Sequence, residues 1–373
     1  MPVTSLATEP EWSLLLAACC EEDGAEKLHR IRSQVQSSVQ WQVLFDIAER
    51  HGIQPLLYQA LCSVTDIVPP DDLAALAQKH QINLHKCLIL SGALIRILDA
   101  LYAKGIDVMP YKGLALAETI YGDIALRQSG DIDLMIHAAD LARVRETVRE
   151  LGYSPHAPLS EAEEKAYLKS GYECVFDGAA GRNLLEVQWN VQPRFYAVDF
   201  DIEALFRRAV TVSVAGRQMK TPCNEDLFLV LSLHAAKHVW ARLIWLCDLA
   251  RIMTLQNLDW NQIGFHASEL GVTRILRVTL LLANRILGAR IPAQAEVHLP
   301  GDRLSAGLAD EIETYIFHEQ VFDVESLAYF RLMLRLRERR SDQMRFLSRL
   351  VFTPGPAEWA AIHFPRPLFP LYR

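Results

Sequence analysis

The sequence lacks several features by which whole classes of protein are recognised. Its seven cysteines include no pair with C-x-x-C spacing, so neither a zinc site nor a redox motif is indicated. No apolar run reaches the roughly 18 residues of a membrane span. The N-terminal stretch MPVTSLATEPEW has no basic region followed by an apolar one, as a secretory signal would. We therefore expect a cytoplasmic protein with reduced thiols and no membrane span.

An excess of basic residues is also absent. The chain has 38 Lys and Arg against 45 Asp and Glu, a formal net charge of −7. Because sequence-independent binding of nucleic acid needs a basic surface, we do not expect nucleic acid as a partner.

Three catalytic signatures are missing as well. The chain contains no GxxxxGK[ST] loop, so it is not a P-loop kinase, and no Ser-His-Asp set can be argued from spacing. His234 and His238 lie four residues apart on a predicted helix, but Ala235 stands where the glutamate of an HExxH zinc protease would be. We interpret the two histidines as core residues or as supports of a neighbouring site.

The sequence predicts a helical region, then a small α/β unit, then a second helical region. Apolar residues recur three and four apart up to residue 103, and a helix beginning at Pro69-Pro70 is predicted to end at Gly105. A strand is predicted from Ile106 to Gly113. Two hairpins are also predicted, the first of which joins the strands YECVFD and NLLEVQWNV, and a long, mostly apolar helical stretch begins at Asn224. We divide the chain into an N-terminal helical region (1–103), an α/β core (104–222), a C-terminal helical region (223–350) and a tail rich in proline and aromatic residues (351–373).

The stretch RQSGDIDLMIH places two carboxylates at the start of a predicted strand. Asp131 and Asp133 project from the same face, where they would repel each other unless a cation lay between them. Mg²⁺ prefers carboxylate oxygens and also binds substrate phosphates, and two such ions can clamp a phosphoryl displacement. The competing interpretation is a turn residue followed by a solvated strand residue. Gly130, which allows close approach of a ligand, and the apolar run Leu134–Ile136 favour the metal site.

A third carboxylate is expected from a neighbouring strand. Glu186 lies within the apolar run NLLEVQW, where a charged residue is out of pattern for a buried strand. The alternative is a solvent-facing residue on an amphipathic strand, and we favour the role of metal ligand.

These segments together resemble a known family. YKGLALAETIYGDIALRQSGDIDLMI, EVQWNV and LHAAKHVWARLIWLCDLARI are similar to the motifs of uncharacterised bacterial nucleotidyltransferases of the polymerase-β-like superfamily. The resemblance implies an α+β fold, in which a small mixed, palm-like sheet is flanked by N-terminal and C-terminal helical regions. It implies two Mg²⁺ ions, with Mn²⁺ as a substitute, held by the catalytic residues Asp131, Asp133 and Glu186. It also implies a set of nucleotide-binding residues: Lys112, Gly113, Arg127, Gly130 and Lys237, the last with an ordinary surface lysine as the alternative.

The sequence departs from the family pattern at two positions. Leu114 follows Gly113 where the superfamily's Gly-Ser signature has serine, so backbone amides, Lys112 and Arg127 would have to hold the phosphates. Gln188 stands where the family often has histidine, and glutamine can still hydrogen-bond a ligand.

The function predicted from these residues is Mg²⁺-dependent nucleotidyl transfer. The enzyme would move a nucleoside monophosphate from an NTP, with ATP the expected donor, to a hydroxyl or phosphate of a small molecule or peptide, and release pyrophosphate. The alternatives are a catalytically idle nucleotide sensor or partner-binding protein on the same fold, and transfer of another phosphate-linked group such as a sugar. Seven arginines between Arg331 and Arg349 are interpreted as a solvated helix face, with a surface for an anionic acceptor or a membrane as the alternative.

Overall fold

The computed structural model describes residues 9–20, 24–156, 167–169, 171–178, 181, 183–255, 257–318, 323 and 326–353. The predicted tail lies outside the described residues from position 354 onward. The helices are α1 (Pro10–Cys19), α2 (Gly24–Val35), α3 (Trp41–Arg50), α4 (Gln54–Leu61), α5 (Pro70–Ala103), α6 (Gly113–Leu116), α7 (Leu141–Glu150), α8 (Ile202–Arg207), α9 (Asn224–Lys237), α10 (Leu243–Leu255), α11 (Trp260–Leu270), α12 (Thr273–Leu287), α13 (Ala293–His298), α14 (Arg303–Phe317), α15 (Leu327–Arg335) and α16 (Arg340–Phe352). The strands are β1 (Val108–Pro110), β2 (Asp131–Ile136), β3 (Ser154–Pro155), β4 (Glu173–Asp177), β5 (Leu184–Gln188), β6 (Val210–Val214) and β7 (Arg217–Thr221).

The fold is α+β with a small mixed sheet between helical regions, as predicted. Five strands form the sheet in the order β1-β2-β5-β4-β3. Strand β2 is parallel to β5 and antiparallel to β1, whereas β4 is antiparallel to both β5 and β3. Strands β6 and β7 form a separate hairpin. The parallel β2–β5 pair lies at the centre, so residues at equal register on these two strands become neighbours.

The two faces of the sheet carry different residues because side chains alternate along a strand. Ile132 and Leu134 of β2 and Val187 of β5 point into an apolar core that also contains buried residues of α5 and α7. Met135 of β2 belongs instead to a second core, built from the N-terminal helices and most helices after residue 223. Asp131 and Asp133 share the alternation of Met135, so they face the second core.

Helix α5 supports the segment that leads into β2. It is 34 residues long, and its first turn carries Asp71 and Asp72, which suit the positive end of the helix dipole. The buried Asn83 donates a hydrogen bond of 2.9 Å from Nδ2 to the carbonyl oxygen of Ala125. A long helix predicted from Pro69-Pro70 therefore holds the chain just before Arg127.

Three predicted elements differ in extent. The strand predicted from Ile106 to Gly113 is confined to Val108–Pro110, because the chain turns into α6 at Gly113. The strand predicted across NLLEVQWNV ends at Gln188. The long helical stretch beginning at Asn224 is two helices, α9 and α10, interrupted at residues 238–242.

The arginines between Arg331 and Arg349 are not all on a solvated face. Arg337 is only 2% exposed and donates to the carbonyl oxygen of Tyr196. Arg349 forms a two-point ion pair with Asp199, with N–O distances of 2.6 and 2.8 Å. These contacts fasten α15 and α16 to the rest of the protein. None of the helices in the described ranges has both the length and the apolar character needed to cross a membrane.

Candidate active site

The predicted carboxylates meet on one face of the sheet. In the parallel pairing of β2 with β5, Asp133 lies directly opposite Glu186. Asp131 precedes Asp133 by two residues and therefore points the same way. Asp133 is only 5% exposed, and the other two are partly buried. The register, which the sequence alone does not give, brings the three predicted residues together.

Lys112 neutralises one of these carboxylates. Its Nζ donates to Oδ1 of Asp133 at 2.9 Å, and both side chains are nearly buried. Burial by itself would lower the pKa of Lys112, but Asp133 and Tyr111 outweigh it and raise that pKa above the ordinary lysine value. Lys112 is therefore a fixed positive charge within the carboxylate cluster.

Negative charge remains in surplus around this pair. Burial, followed by the nearby Asp133 and Glu173, raises the pKa of Glu186 to about 8. Burial and Asp133 also raise the pKa of Asp131. The protein alone therefore stabilises the anionic forms of both carboxyl groups poorly, and additional positive charge nearby would stabilise them.

Glu173 is a fourth carboxylate that the sequence reasoning missed. It lies on β4 opposite Gln188 of β5. The buried Gln188 donates from Nε2 to Glu173 and to Glu186, at 3.1 Å in each case, and its Oε1 accepts from the hydroxyl of Tyr111. The signal for Glu173 was present, because it interrupts an apolar strand, YECVF, as Glu186 does. Gln188 holds two carboxylates in place and, being neutral, does not exchange protons with them.

Lys237 reaches the same face from helix α9. Its Nζ donates to the hydroxyl of Tyr172 at 3.1 Å and lies 5.0 Å from the centre of that ring. The Tyr172 hydroxyl in turn donates to Glu173. Burial lowers the pKa of Lys237, while Glu173 opposes that change. Lys237 is thus a partly buried lysine at the edge of the carboxylate cluster rather than a surface residue.

Arg127 forms an ion pair with a residue that the sequence did not predict as its partner. It is 7% exposed, and its Nε and Nη2 donate to Asp248 of α10 at 3.0 and 2.9 Å. Asp248 is 1% exposed and also accepts from the hydroxyl of Tyr121 at 2.8 Å. Most of the charge that we expected Arg127 to offer a triphosphate is therefore balanced inside the protein. The first role of Arg127 is to join the segment before β2 to α10.

The two predicted glycines, Gly113 and Gly130, differ in backbone conformation and in how closely other atoms approach them. Gly113 has φ +53°, in the left-handed region, and a Cβ there would lie 3.5 Å from the carbonyl oxygen of Asp131. Gly113 thus combines an unusual backbone conformation with close approach to β2. A Cβ at Gly130 would meet no atom within 4 Å, so the space beside Gly130 is open.

The donor set suits a hard divalent cation in its chemistry. Asp131, Asp133 and Glu186 offer only carboxylate oxygens. The pKa values of Asp131 and Glu186 are raised first by burial and then by neighbouring negative charge that Lys112 does not balance. Among the residues that the structure describes, no group of three or more histidine, cysteine, aspartate or glutamate side chains is arranged to hold a metal ion. A cation bound here would share Asp133 with Lys112.

His234 and His238 form a cluster with a tryptophan that sequence reasoning missed. Helix α9 ends at Lys237, so His238 lies just beyond it, yet the two imidazole centres are 4.9 Å apart. The ring of Trp245 on α10 lies 5.2 Å from His234 and 5.3 Å from His238. Burial and then the nearby lysines lower the pKa of His238 to about 3, and that of His234 lies well below its usual range. Both imidazoles are therefore neutral at pH 7.

Comparison with known proteins shows the family to which the chain belongs. A family model described as "uncharacterised nucleotidyltransferase" matches residues 37–288. No curated protein matches the chain significantly. Among solved structures, the chain is similar to ANT(2″)-Ia in complex with adenylyl-2″-tobramycin, with 15% identity and a TM-score of 0.36 over 49% of this chain and 97% of that chain. A likeness of that size supports no conclusion about substrate.

Proposed function

The chain belongs to the family of uncharacterised nucleotidyltransferases, and from that premise we propose that it transfers a nucleoside monophosphate from an NTP, with ATP the favoured donor, to a hydroxyl or phosphate of a small molecule or peptide. One observation carries the proposal. Four carboxylates from three adjacent strands, Asp131, Asp133, Glu173 and Glu186, share one face of the sheet. Lys112 contacts Asp133, and Lys237 contacts the Tyr172 hydroxyl that donates to Glu173.

A magnesium ion is the group that the carboxylate chemistry of this face suits, and the side chains would have to rearrange around it, because in the structure they are not arranged to hold a metal ion. Asp131, Asp133 and Glu186 would hold it, with a second ion on the same carboxylates and Mn²⁺ as a substitute. The bound ion would supply positive charge against the triphosphate as pyrophosphate departs. The surplus of buried carboxylate supports this assignment, because such groups are costly in a protein unless a cation compensates them.

The residues of this chain would position the triphosphate. Lys112 and Lys237 provide positive charge from two sides of the cluster, and the backbone at Gly113 can approach a phosphate closely. The open space beside Gly130 leaves room for the nucleotide. Arg127, whose charge is balanced by Asp248, would hold the segment before β2 in place rather than contact the triphosphate.

The transfer balances as a displacement at phosphorus. The acceptor oxygen would bond to the α-phosphorus, the bond from that phosphorus to the bridging oxygen would break, and pyrophosphate would leave with that oxygen. For a hydroxyl acceptor, the proton would pass to the carboxylate of Glu186, whose hydrogen bond from Gln188 holds it in place.

The test is the binding of each NTP, with and without Mg²⁺, measured by calorimetry. We expect one or more NTPs to bind the wild type only with Mg²⁺, and the double variant Asp131→Asn/Asp133→Asn to lose that binding. Asp140→Asn is the matched control, because Asp140 lies just beyond β2 and pairs with Arg143 on the surface. The proposal fails if no NTP binds the wild type or if the double variant binds equally well.

Pyrophosphate release separates the enzyme from an idle sensor. Wild-type protein with the bound NTP and a panel of hydroxyl and phosphate acceptors should release pyrophosphate in the presence of at least one of them. Binding without release for every acceptor would favour the sensor. Release of a nucleoside diphosphate from a sugar-nucleotide donor would favour transfer of a sugar.

A further inference from the structure

The three rings of His234, His238 and Trp245, here called the ring cluster, have no assigned role in the transfer described above. We propose that the ring cluster binds the nucleobase of the NTP, by stacking on Trp245 and by hydrogen bonds from the two imidazoles. This inference rests on the proposed function, because it assigns the second half of the same substrate.

The ring cluster adjoins the phosphate-binding residues. Lys237 lies between His234 and His238 in the chain, and its Nζ contacts Tyr172, whose hydroxyl donates to Glu173 of the carboxylate face. Lys112 is near enough to His234 to contribute to the lowering of its pKa. A nucleotide with its phosphates against the two lysines would therefore have its base on the side of α9 and α10.

The chemistry of the ring cluster suits an uncharged aromatic ligand. All three side chains are partly buried, so each ring packs on the protein and keeps a part of its surface accessible. A neutral imidazole has one donor and one acceptor nitrogen, as the edge of a base requires. The two imidazole centres lie 4.9 Å apart, and the ring of Trp245 lies 5.2 and 5.3 Å from them, so all three rings are within reach of one planar ligand. A base can stack on an aromatic ring whatever its identity, because every base has a π face.

The break between α9 and α10 creates the ring cluster. In an unbroken helix, His238 and Trp245 would be separated by two turns, or about 10 Å along the axis. Their ring centres are instead 5.3 Å apart. The chain achieves this with two consecutive non-glycine residues in the left-handed region, Val239 at φ +54° and Trp240 at φ +49°. Such conformations cost energy and persist where the surrounding structure enforces them, often at functional sites.

The surrounding structure does enforce this break. The indole Nε1 of the fully buried Trp240 donates to Oγ1 of Thr279 at 3.1 Å. At the start of α10, the backbone N–H of Leu243 donates to Nδ1 of His51, and that of Ile244 donates to the His51 carbonyl, both at 3.2 Å. The N-terminal and C-terminal helical regions therefore both fix the position of Trp245.

The experiment compares ATP with inorganic tripolyphosphate, each with Mg²⁺, by calorimetry. Trp245→Ala should weaken ATP binding by roughly ten- to a hundred-fold, the range expected for loss of one stacked base. It should leave tripolyphosphate binding unchanged, which also shows that the variant is folded. Trp245→Phe, which keeps an aromatic face, should retain most of the ATP affinity. His238→Ala should weaken ATP binding and spare tripolyphosphate in the same way.

The outcomes distinguish this inference from the proposed function. If Trp245→Ala binds ATP as tightly as the wild type does, or loses ATP and tripolyphosphate equally, the ring cluster does not bind the base. The carboxylate assignment would survive that result as long as Asp131→Asn/Asp133→Asn still abolishes ATP binding. If the wild type binds neither ligand, both proposals are overturned.

Discussion

The two faces of the central sheet are built from alternate residues of the same strands, yet they serve different ends. Ile132 and Leu134 of β2 pack with Val187 of β5 in an apolar core against α5 and α7. Their immediate neighbours Asp131 and Asp133 point to the other side. On the apolar face, each buried side chain adds to stability through burial. On the polar face, burial raises the pKa of carboxyl groups and works against stability.

This difference shows that the polar face of the sheet lowers the stability of the folded protein. A strand whose only task was to hold the fold would have no reason to place Asp133, 5% exposed, beside two other acids. Lys112 and Gln188 compensate part of that charge through hydrogen bonds, and we propose that a bound ligand compensates the rest. The comparison between the faces can be tested by asking whether substitutions on them affect activity and stability separately.

The largest effect is expected from removing one charge on the polar face. Asp131→Asn should reduce pyrophosphate release by about a hundred- to a thousand-fold, the size expected when a group acting on transition-state charge is lost. Its free energy of unfolding, measured with urea, should stay the same or rise, because repulsion from Asp133 is relieved. A variant that is both destabilised and active would place Asp131 among the structural residues and break the contrast between the faces.

The next effect concerns the buried ion pair behind the site. Asp248→Asn leaves the guanidinium of Arg127 buried without a carboxylate, and loss of one partner of such a pair costs roughly 3–5 kcal/mol of stability. Urea unfolding should show this loss. The double variant Arg127→Met/Asp248→Asn should recover a large part of it, since no unpaired charge then remains. Equal destabilisation of the single and double variants would show that Arg127 does not depend on Asp248.

Substitutions on the apolar face should lower the free energy of unfolding and leave the rate of pyrophosphate release nearly unchanged. Leu134 follows Asp133 in β2, and its fully buried side chain packs in the apolar core. Leu134→Ala should cost roughly 2–5 kcal/mol of unfolding free energy. Pyrophosphate release per folded molecule should change little. Leu88→Ala on α5, where the side chain is 55% exposed, is the control and should cost less than about 1 kcal/mol. If Leu134→Ala lowered turnover as strongly as Asp131→Asn does, the two faces would not be functionally distinct.

The last effect is a gradual dependence of stability on pH, which arises at His51, the residue that supports the start of α10 beside the ring cluster. Burial, followed by Arg50 and Arg242, lowers the pKa of His51 to about 4. The folded state therefore binds this proton less readily than the unfolded state does, so the stabilisation is complete above pH 6.5 and is lost as the pH falls towards 4. The full loss corresponds to about 3 kcal/mol.

Urea unfolding at several pH values between 7 and 4 measures that dependence. His51→Asn keeps an acceptor for the backbone of Leu243 but does not titrate, so its stability should fall less steeply over the same range. Identical pH profiles for the variant and the wild type would show that His51 titrates alike in the folded and unfolded states.

Much of the site was predictable because strand alternation is a local property. The i and i+2 spacing of Asp131 and Asp133 placed both on one face, and Glu186 was identifiable as an acid within an apolar strand. The same signal, an acid within an apolar strand, is present at Glu173 in YECVF, so the sequence contains enough information to identify that residue too. The helices before residue 103 and the hairpin β6–β7 were predictable from apolar spacing and turn composition.

The sequence by itself therefore determined the kinds of element, the side of each strand on which the charges lie, and the residue types that suit phosphate chemistry. The tertiary structure decided the β2–β5 register that sets Asp133 opposite Glu186, the pairing of Arg127 with Asp248, and the break that brings Trp245 to His234 and His238. The physical reason is that periodicity reports which face of an element a residue occupies. Partners 121 residues apart, such as Arg127 and Asp248, become neighbours only when those faces pack together.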